Sequence, residues 1–374
     1  MTDREVLIVL NLISGIGFVK FQALREHFKS IAATSYRTEE EYREVPGIGP
    51  ELAKRLSRCP WQEEYLFEMD LVDRAGCRVI TYLDENYPAV LRNIYDPPLV
   101  LYVRGTLGEF PDRSISVVGS RRMTAYGRRI TAQLCKDAVN AGFTVVSGLA
   151  YGVDAVAHSA VVEAGGTTVA VLGGGLMHIH PKENIPLANS IVQHGGALIT
   201  EFPMRFPVSR QSFPRRNRIV AALTRGTVVT EAGMESGALI TAKLALENGK
   251  EVFAFPGMAD NPMAQGCHKL IKEGAALVEN FDDVFDILGF GFLPGFAPVD
   301  RNENIAYDKD ATADLPENQR IIMQALEDNE LTLEEIQQFT DLDSSVLLGE
   351  LMNLEMKFLI EQDVSQRYRK LRRL

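Results

Sequence analysis

An α/β fold is predicted, with an extended Rossmann-like parallel sheet over residues 86–288, and three observations predict it. From Ile115 onward, short and fully apolar runs alternate with helical segments, the pattern of strands covered on both faces. The turn that follows each of the first five runs is rich in Gly, Ser or Arg, as ligand-facing turns at the carboxyl ends of such strands are. The flanks, 1–85 and 316–374, show helical periodicity, and 289–315 has the composition of a linker.

Length and composition agree with this plan. A chain of 374 residues with 46% hydrophobic content exceeds one ordinary core and suggests two or three domains. No run is long and apolar enough to span a bilayer, and MTDREVLIVL lacks a signal peptide's basic start and cleavage site, so a cytoplasmic protein with no membrane partner is expected. Cys59, Cys77, Cys135 and Cys267 are far apart and form no CxxC, which points to free thiols and no zinc site.

In residues 1–85 two stretches share a theme, SGIGFVKFQALREHF from Ser14 and VPGIGPELAKRL from Val45. Each has Gly-Ile-Gly opening an amphipathic helix, which looks like paired helix-hairpin-helix motifs whose helix N-termini hold a phosphate backbone. Only Lys20, Lys54 and Arg55 lie nearby, so close helix packing is the stronger expectation for them. The proline-rich YPAVLRNIYDPPLVLYVRG from Tyr87 reads as a connector running into a strand.

The strands are then ISVV, FTVV, TTVAVL, ALIT, TVVT and EVFAF, with helices at Ala125–Ala141, Val153–Glu163, Lys182–Gln193, Arg215–Leu223 and Ala238–Glu247 between them. The turn GSRRMTAYG after the first strand belongs to an acid-free stretch, Arg113 to Arg129, that holds five arginines. A second acid-free stretch, Phe202 to Thr230, contains Arg205, Arg210, Arg215, Arg216, Arg218 and Arg225. In a chain of net charge −11 these are local reversals of sign, and they imply an anionic partner met at one place. Arginine in particular implies phosphate, because its planar fork donates paired hydrogen bonds. The first turn is not a dinucleotide fingerprint, since Arg121 stands where GxGxxG needs its second glycine, and no GxxxxGK[ST] loop occurs. No cofactor is therefore expected.

Four acidic or imidazole features have bland explanations. Asp154 and His158 share a helix face and could be an acid/base pair, but a helix-start aspartate and a satisfied histidine are the commoner case. His178 and His180 have no further ligand nearby for a metal. Glu201 and Glu231 end strands of adjacent type, and the arginine-rich context suggests that they position arginines rather than act as bases.

A helix at Phe281–Leu288 closes this domain. Beyond the linker, helices at Asn318–Leu326, Thr332–Phe339 and Ser344–Glu355, a run at Lys357–Ile360 and the tail RYRKLRR follow a winged-helix plan. Its third helix carries no Lys or Arg, so a protein contact is expected there rather than a DNA groove.

With these residues in place, the chain resembles the DNA-processing protein A family, DprA or Smf. The resemblance runs through VVGSRR, VVSGLAYGVDAVAH, VLGGGL, TEFP, FPRRNRIVAAL, VVTEAGMESGALITA, VFAFPG and GCHKLIKEGA. It implies an N-terminal SAM-like domain and a C-terminal winged helix. It also implies a non-enzymatic protein that binds single-stranded DNA, loads RecA onto it in natural transformation, and forms a homodimer. Carried over by motif, DNA contacts fall on Gly119, Ser120, Arg121, Arg122, Gly173, Gly174, Gly175, Phe213, Arg215, Arg216, Asn217 and Arg218. The family's dimer surface falls on His268, Ile271 and Leu277, although Ile271 and Leu277 could simply close the core. Tyr151 and His180 depart from the residues common in the family. Phe213 or Tyr151 could stack bases. The rival reading is a nucleotide-processing enzyme resembling nucleoside monophosphate phosphoribohydrolases, with Glu231 as its acid; AGMESGAL lacks the PGGxGTxxE pattern. A pure interaction scaffold would instead require the arginines to be buried ion-pair partners.

Overall fold

The computed structural model describes residues 1–107, 111–290, 316–326, 331–340, 342–356, 359–362 and 367–370. The chain divides into two compact units, Met1–Phe292 and Leu293–Leu374. Most of the expected linker, 291–315, lies outside the described residues.

The first unit begins with five helices, α1 (Asp3–Leu12), α2 (Phe18–Phe28), α3 (Glu39–Arg43), α4 (Pro50–Ser57) and α5 (Trp61–Arg74). Thr2 and Glu5 close a capping box on α1. That helix is apolar all round from Val6 to Leu10 and is correspondingly buried all round. Both Gly-Ile-Gly stretches do open helices, with Gly17 and Gly49 as the N-cap residues of α2 and α4.

A nine-stranded sheet follows, in the order β1-β2-β6-β5-β4-β3-β7-β8-β9. Seven strands run parallel: β3 (Ser114–Val118), β4 (Thr144–Ser147), β5 (Thr168–Val171), β6 (Ala197–Thr200), β7 (Gly226–Val229), β8 (Glu251–Ala254) and β9 (Ala276–Leu277). β1 (Arg78–Thr81) pairs antiparallel with β2 (Val100–Gly105), which pairs antiparallel with β6. The parallel sheet expected from the sequence is thus extended by two strands of mixed direction. β1 lies before residue 85, so the expected domain boundary falls after the sheet has started.

Consecutive strand residues point to opposite faces. Val117 joins Leu134, Ala157 and Phe281 in the core under α7 (Ala125–Asn140), α8 (Val153–Glu163) and α13 (Phe281–Ile287). Val118 and Val229 join Ile219, Ala242 and Leu270 under α10 (Ser212–Ala222), α11 (Gly237–Glu247) and α12 (Gln265–Lys272). Leu91, on the single turn α6 (Ala89–Arg92), belongs to this second cluster. The N-terminal helices share one core with Val100, Tyr102 and Leu198 of the sheet and with Ala188 and Ile191 of α9 (Ile185–Gln193), so they are part of the same compact unit.

Strand order places the site. The chain leaves β3 for β4, β5 and β6 on one side and returns to β7, β8 and β9 on the other. A crevice therefore opens beyond the carboxyl ends of β3 and β7, where α/β sheets bind ligands. Glu201 and Glu231, expected at the ends of strands of adjacent type, follow β6 and β7, which three strands separate.

The second unit contains α14 (Glu317–Ala325), β10 (Leu331–Thr332), α15 (Leu333–Thr340), α16 (Ser344–Met356), β11 (Ile360–Gln362) and β12 (Arg367–Lys370). Its sheet has the order β10-β12-β11, and Ile322, Ile336, Leu347, Leu351 and Tyr368 are in its core. The three expected helices are present, with Thr332 in a strand rather than in the second helix.

Candidate nucleic-acid interface

The turn after β3 is built from backbone hydrogen bonds and close packing. Ser120 N–H donates to Glu231 O at 2.7 Å, and Arg122 N–H donates to Ser120 Oγ at 3.0 Å. A Cβ on Gly119 would stand 2.6 Å from Val153 Cγ2 and 2.8 Å from Glu231 O, so only glycine lets the turn sit this close to β7 and α8. Arg121 and Arg122 are exposed at its tip.

Glu231 does not face this opening. It is buried, and its Oε2 accepts from Thr124 N–H at 2.8 Å, at the start of α7 where the helix dipole favours an anion. Gly127 makes the room: a Cβ there would lie 2.0 Å from that oxygen. Glu231 therefore braces the turn that carries Arg121 instead of bonding an arginine.

The turn opens onto a groove of ≈ 910 Å³ lined by Gly119, Ser120, Arg121, Arg122, Phe213 and Asn217, together with Arg210, Arg216 and the turn 233–237 after β7. The two arginine islands meet here, although β3 and β6 are separated by β4 and β5. Loop 201–211 carries the chain from the end of β6 to the start of α10, and Phe213 brings the islands together. The Arg121 guanidinium lies 4.9 Å from the Phe213 ring centroid. Gly173 also allows close approach to the ring, since a Cβ there would be 3.0 Å from Phe213 Cδ1. A small pocket between them is lined by Gly173, Gly174, Tyr151, His178, His180 and Phe213. Gly175 is spaced differently: its N–H donates to Phe206 O at 3.0 Å, and a Cβ would strike Pro203 O at 2.1 Å. It is a packing glycine, and its amide is already bonded.

The arginines of α10 are not equivalent. Arg215 is partly exposed and donates to Glu201 Oε2 at 2.9 Å. Arg218 is nearly buried and donates to the same oxygen at 2.7 Å, with Asp96 Oδ2 3.3 Å away. Glu201 thus positions two arginines, and these two carry less free charge than the sequence suggests. Asp96 also accepts from Phe18 N–H at 3.4 Å, so the start of α2 at the first Gly-Ile-Gly holds one of the protein's own carboxylates.

Arg216 is only 5% exposed yet lines the groove. Its Nη1 lies where a Cβ on Gly148 would be 1.3 Å away, so Gly148 is the floor of its berth. Its Nε has no hydrogen-bond partner among the described residues. Asp154 interacts with it electrostatically from below. Oδ2 of Asp154 accepts from Gly148 N–H at 3.1 Å and Ala150 N–H at 3.3 Å. Burial pushes the Asp154 carboxyl above its usual range against the pull of Arg216, and burial lowers Arg216 against the pull of Asp154. Burial, then Arg216, hold His158 down to about 3. Thr168 Oγ1 donates to Val145 O at 2.8 Å, so His158 Nδ1, 2.7 Å from that hydroxyl, is the donor to it. Asp154 is the helix-start aspartate expected, and His158 is a neutral core residue.

Asn217 lines the groove half-buried, and its amide takes no partner among the described residues. Arg210, in the second acid-free stretch, and the 233–237 turn, one of the strand-end turns expected to face a ligand, also line the groove, although neither was among the expected DNA contacts. His268 lies half-buried with Nε2 3.0 Å from Gly257 O, Ile271 packs partly against the α10–α12 core, and Leu277 is half exposed on the edge strand β9.

A family model for DNA recombination-mediator protein A matches residues 78–289, from the first residue of β1 to just beyond α13. The chain belongs to that family. Protein Smf of Escherichia coli is 44% identical over 228 residues, which are 60% of this chain and 60% of that protein's own length. DNA processing protein DprA of Bacillus subtilis is 41% identical over 214 residues, 57% of this chain and 72% of the relative. Protein Smf of Synechocystis is 32% identical across 99% of both chains. Among solved structures, DprA of Streptococcus pneumoniae is similar with a TM-score of 0.63 and 32% identity, covering 76% of this chain and 98% of that one. DprA of Helicobacter pylori, described for its single-stranded DNA binding mode, is similar with a TM-score of 0.51 and 27% identity over 57% of this chain and 95% of that one. Like these relatives, the chain is a recombination-mediator family member with a mostly parallel α/β sheet.

Proposed function

We propose that this protein binds single-stranded DNA in the crevice beyond β3 and β7 and loads RecA onto it, as a cytoplasmic homodimer without catalytic turnover. The observation that carries the reading is the meeting of Arg121, Arg122, Arg210 and the nearly buried Arg216 with Phe213 on one groove. Guanidinium groups donate paired, charge-assisted hydrogen bonds to phosphate oxygens, so such a cluster suits a phosphate backbone. Exposed Arg121 and Arg122 form no ion pair among the described residues, although Asp154 and Glu235 also line the groove, and Phe213 supplies an aromatic face beside them. Phosphate contacts carry no base information, so binding should depend little on sequence. A base stacking on Phe213 would have to displace or cover Arg121.

The Helicobacter pylori relative's single-stranded DNA binding mode supports the same ligand. The enzyme alternative loses its acid, because Glu231 is turned inward onto the start of α7. Among the described residues no helix is long and apolar enough to cross a membrane, which is consistent with the proposed compartment. We read the second unit as a winged helix used for protein contact.

The test is a gel shift with matched single- and double-stranded oligonucleotides, followed by RecA filament formation on the bound strand. Preferential single-strand binding and faster filament growth are expected, with ATP, nucleoside monophosphates and DNA left unchanged by the protein alone. Equal affinity for duplex, or product release that Glu231→Gln abolishes, would contradict the reading.

A further inference from the structure

We infer that the single strand does not end in the crevice but continues across the β3–α7 turn into a second cationic trough, where Arg122 and Arg128 take its phosphates. This rests on the reading of the crevice as a single-strand site. The trough, of ≈ 480 Å³, is lined by Arg121, Arg122, Arg128, Tyr151, Gly152 and neighbouring residues, with no acid among them. Arg121 and Arg122 line both the trough and the main groove, so the two volumes meet at their side chains.

Three features make the trough more than a solvated cluster. Arg122 and Arg128 are exposed, and no carboxylate pairs with either among the described residues. Arg128 stands in the N-terminal part of α7, whose first turn has no acid. A cation there opposes the helix dipole, so helix stability gives no reason for it, whereas an arriving anion does. The platform is also firm. Gly152 has φ +78°, and a Cβ there would strike Ser120 O at 2.2 Å and Arg121 Cα at 2.8 Å, so the arginine turn rests directly on the start of α8.

Tyr151 marks the junction. It lines the trough and also the small pocket under Phe213, and its hydroxyl donates to Glu183 Oε2 at 2.6 Å. The phenol is thereby held in place while the residue remains 44% exposed. A fixed, half-exposed ring on the wall of the trough suits a stacked base beside phosphates held by Arg122 and Arg128. The ligand is therefore a single strand longer than the crevice alone can hold.

The test is fluorescence anisotropy with labelled oligothymidylates of about 5, 10 and 20 nucleotides, on the wild type, Arg128→Ala and Arg122→Ala/Arg128→Glu, in a salt series. Wild-type affinity should rise with length. For the shortest oligomer Arg128→Ala should match the wild type within about twofold, and for the longest it should bind about three- to fivefold more weakly, with a salt slope smaller by about 0.7. The double variant should lose most of the gain from length, and unchanged melting temperatures should show that the fold is intact. The trough inference is overturned if Arg128→Ala equals the wild type at every length, if it weakens the shortest oligomer as much as the longest, or if wild-type affinity does not grow with length. Wild-type protein that binds no oligomer of any length overturns the crevice reading itself.

Discussion

Replacing Arg216 by alanine should destabilise the first unit in a way that depends on pH. Arg216 is 5% exposed and Asp154 7% exposed, and each tempers the effect of burial on the other. Without Arg216 the Asp154 carboxyl must stay charged in a buried place or take up a proton. Protonating a carboxyl of ordinary pKa at neutral pH costs about 4 kcal/mol, which sets a ceiling on the electrostatic loss. Gly148 and Ala150 still donate to the charged form, which brings the loss below that ceiling. Adding the lost packing of a buried side chain, the expected destabilisation is about 2–4 kcal/mol, or a fall in melting temperature of about 4–8 °C for a unit of this size. The variant's Asp154 has a folded pKa still further above its unfolded value, so the folded state gains relative stability as pH falls toward the unfolded pKa. His158, which Arg216 helps to keep neutral, protonates more readily as well. Both effects shrink the gap between variant and wild type as pH falls from neutral toward 5. Thermal melts of both proteins across this range measure the gap. A variant that melts within about 1 °C of wild type at pH 7, or a gap that widens in acid, would refute the account of Arg216 as a buried cation facing Asp154.

Three further outcomes are expected. Arg121→Ala should leave the melting temperature unchanged and weaken single-strand binding, with the salt slope smaller by about 0.7; an unchanged slope would remove Arg121 from the groove. His158 is held down to about 3 in the folded chain, so its contribution is fully present above its unfolded pKa and is lost as pH falls toward 3, by about 5 kcal/mol at most. His158→Gln should therefore lose less stability than wild type between neutral pH and pH 4, as denaturant titrations at several pH values would show. Leu277→Arg should give a folded monomer in sedimentation, because Leu277 is half exposed on an edge strand and a twofold patch counts twice, whereas Ile271→Glu should also lower the melting temperature because Ile271 packs on the core. A Leu277→Arg dimer would show that the self-association surface lies elsewhere.

The parallel sheet was legible because each strand from β3 to β8 is an apolar run set off by a helix, and burial on both faces leaves no other pattern. β1 was not, because Arg78–Thr81 is a four-residue strand whose pairing with β2 is a tertiary fact. The arginine islands were visible as charge, and their meeting place followed from strand-end turns. Glu201 was expected to position arginines and does, but the sequence could not show which arginines are neutralised. Asp96, Asp154 and Glu201 reach Arg218, Arg216 and Arg215 from other elements, so three residues that look alike in PRRNR differ in exposure and pairing. The inward turn of Glu231 was hidden for the same reason, since it depends on the space left by Gly127 across the β3–α7 turn.

The most direct measurement is photo-crosslinking of the full chain to a halogenated oligothymidylate, followed by mass spectrometry of the adducts. The account predicts adducts in the peptides that carry Gly119–Arg122 and Phe213–Arg218, lost together when unlabelled single strand is added in excess. Adducts confined to the N-terminal helices or to the second unit, with both of these peptides unmodified, would contradict it.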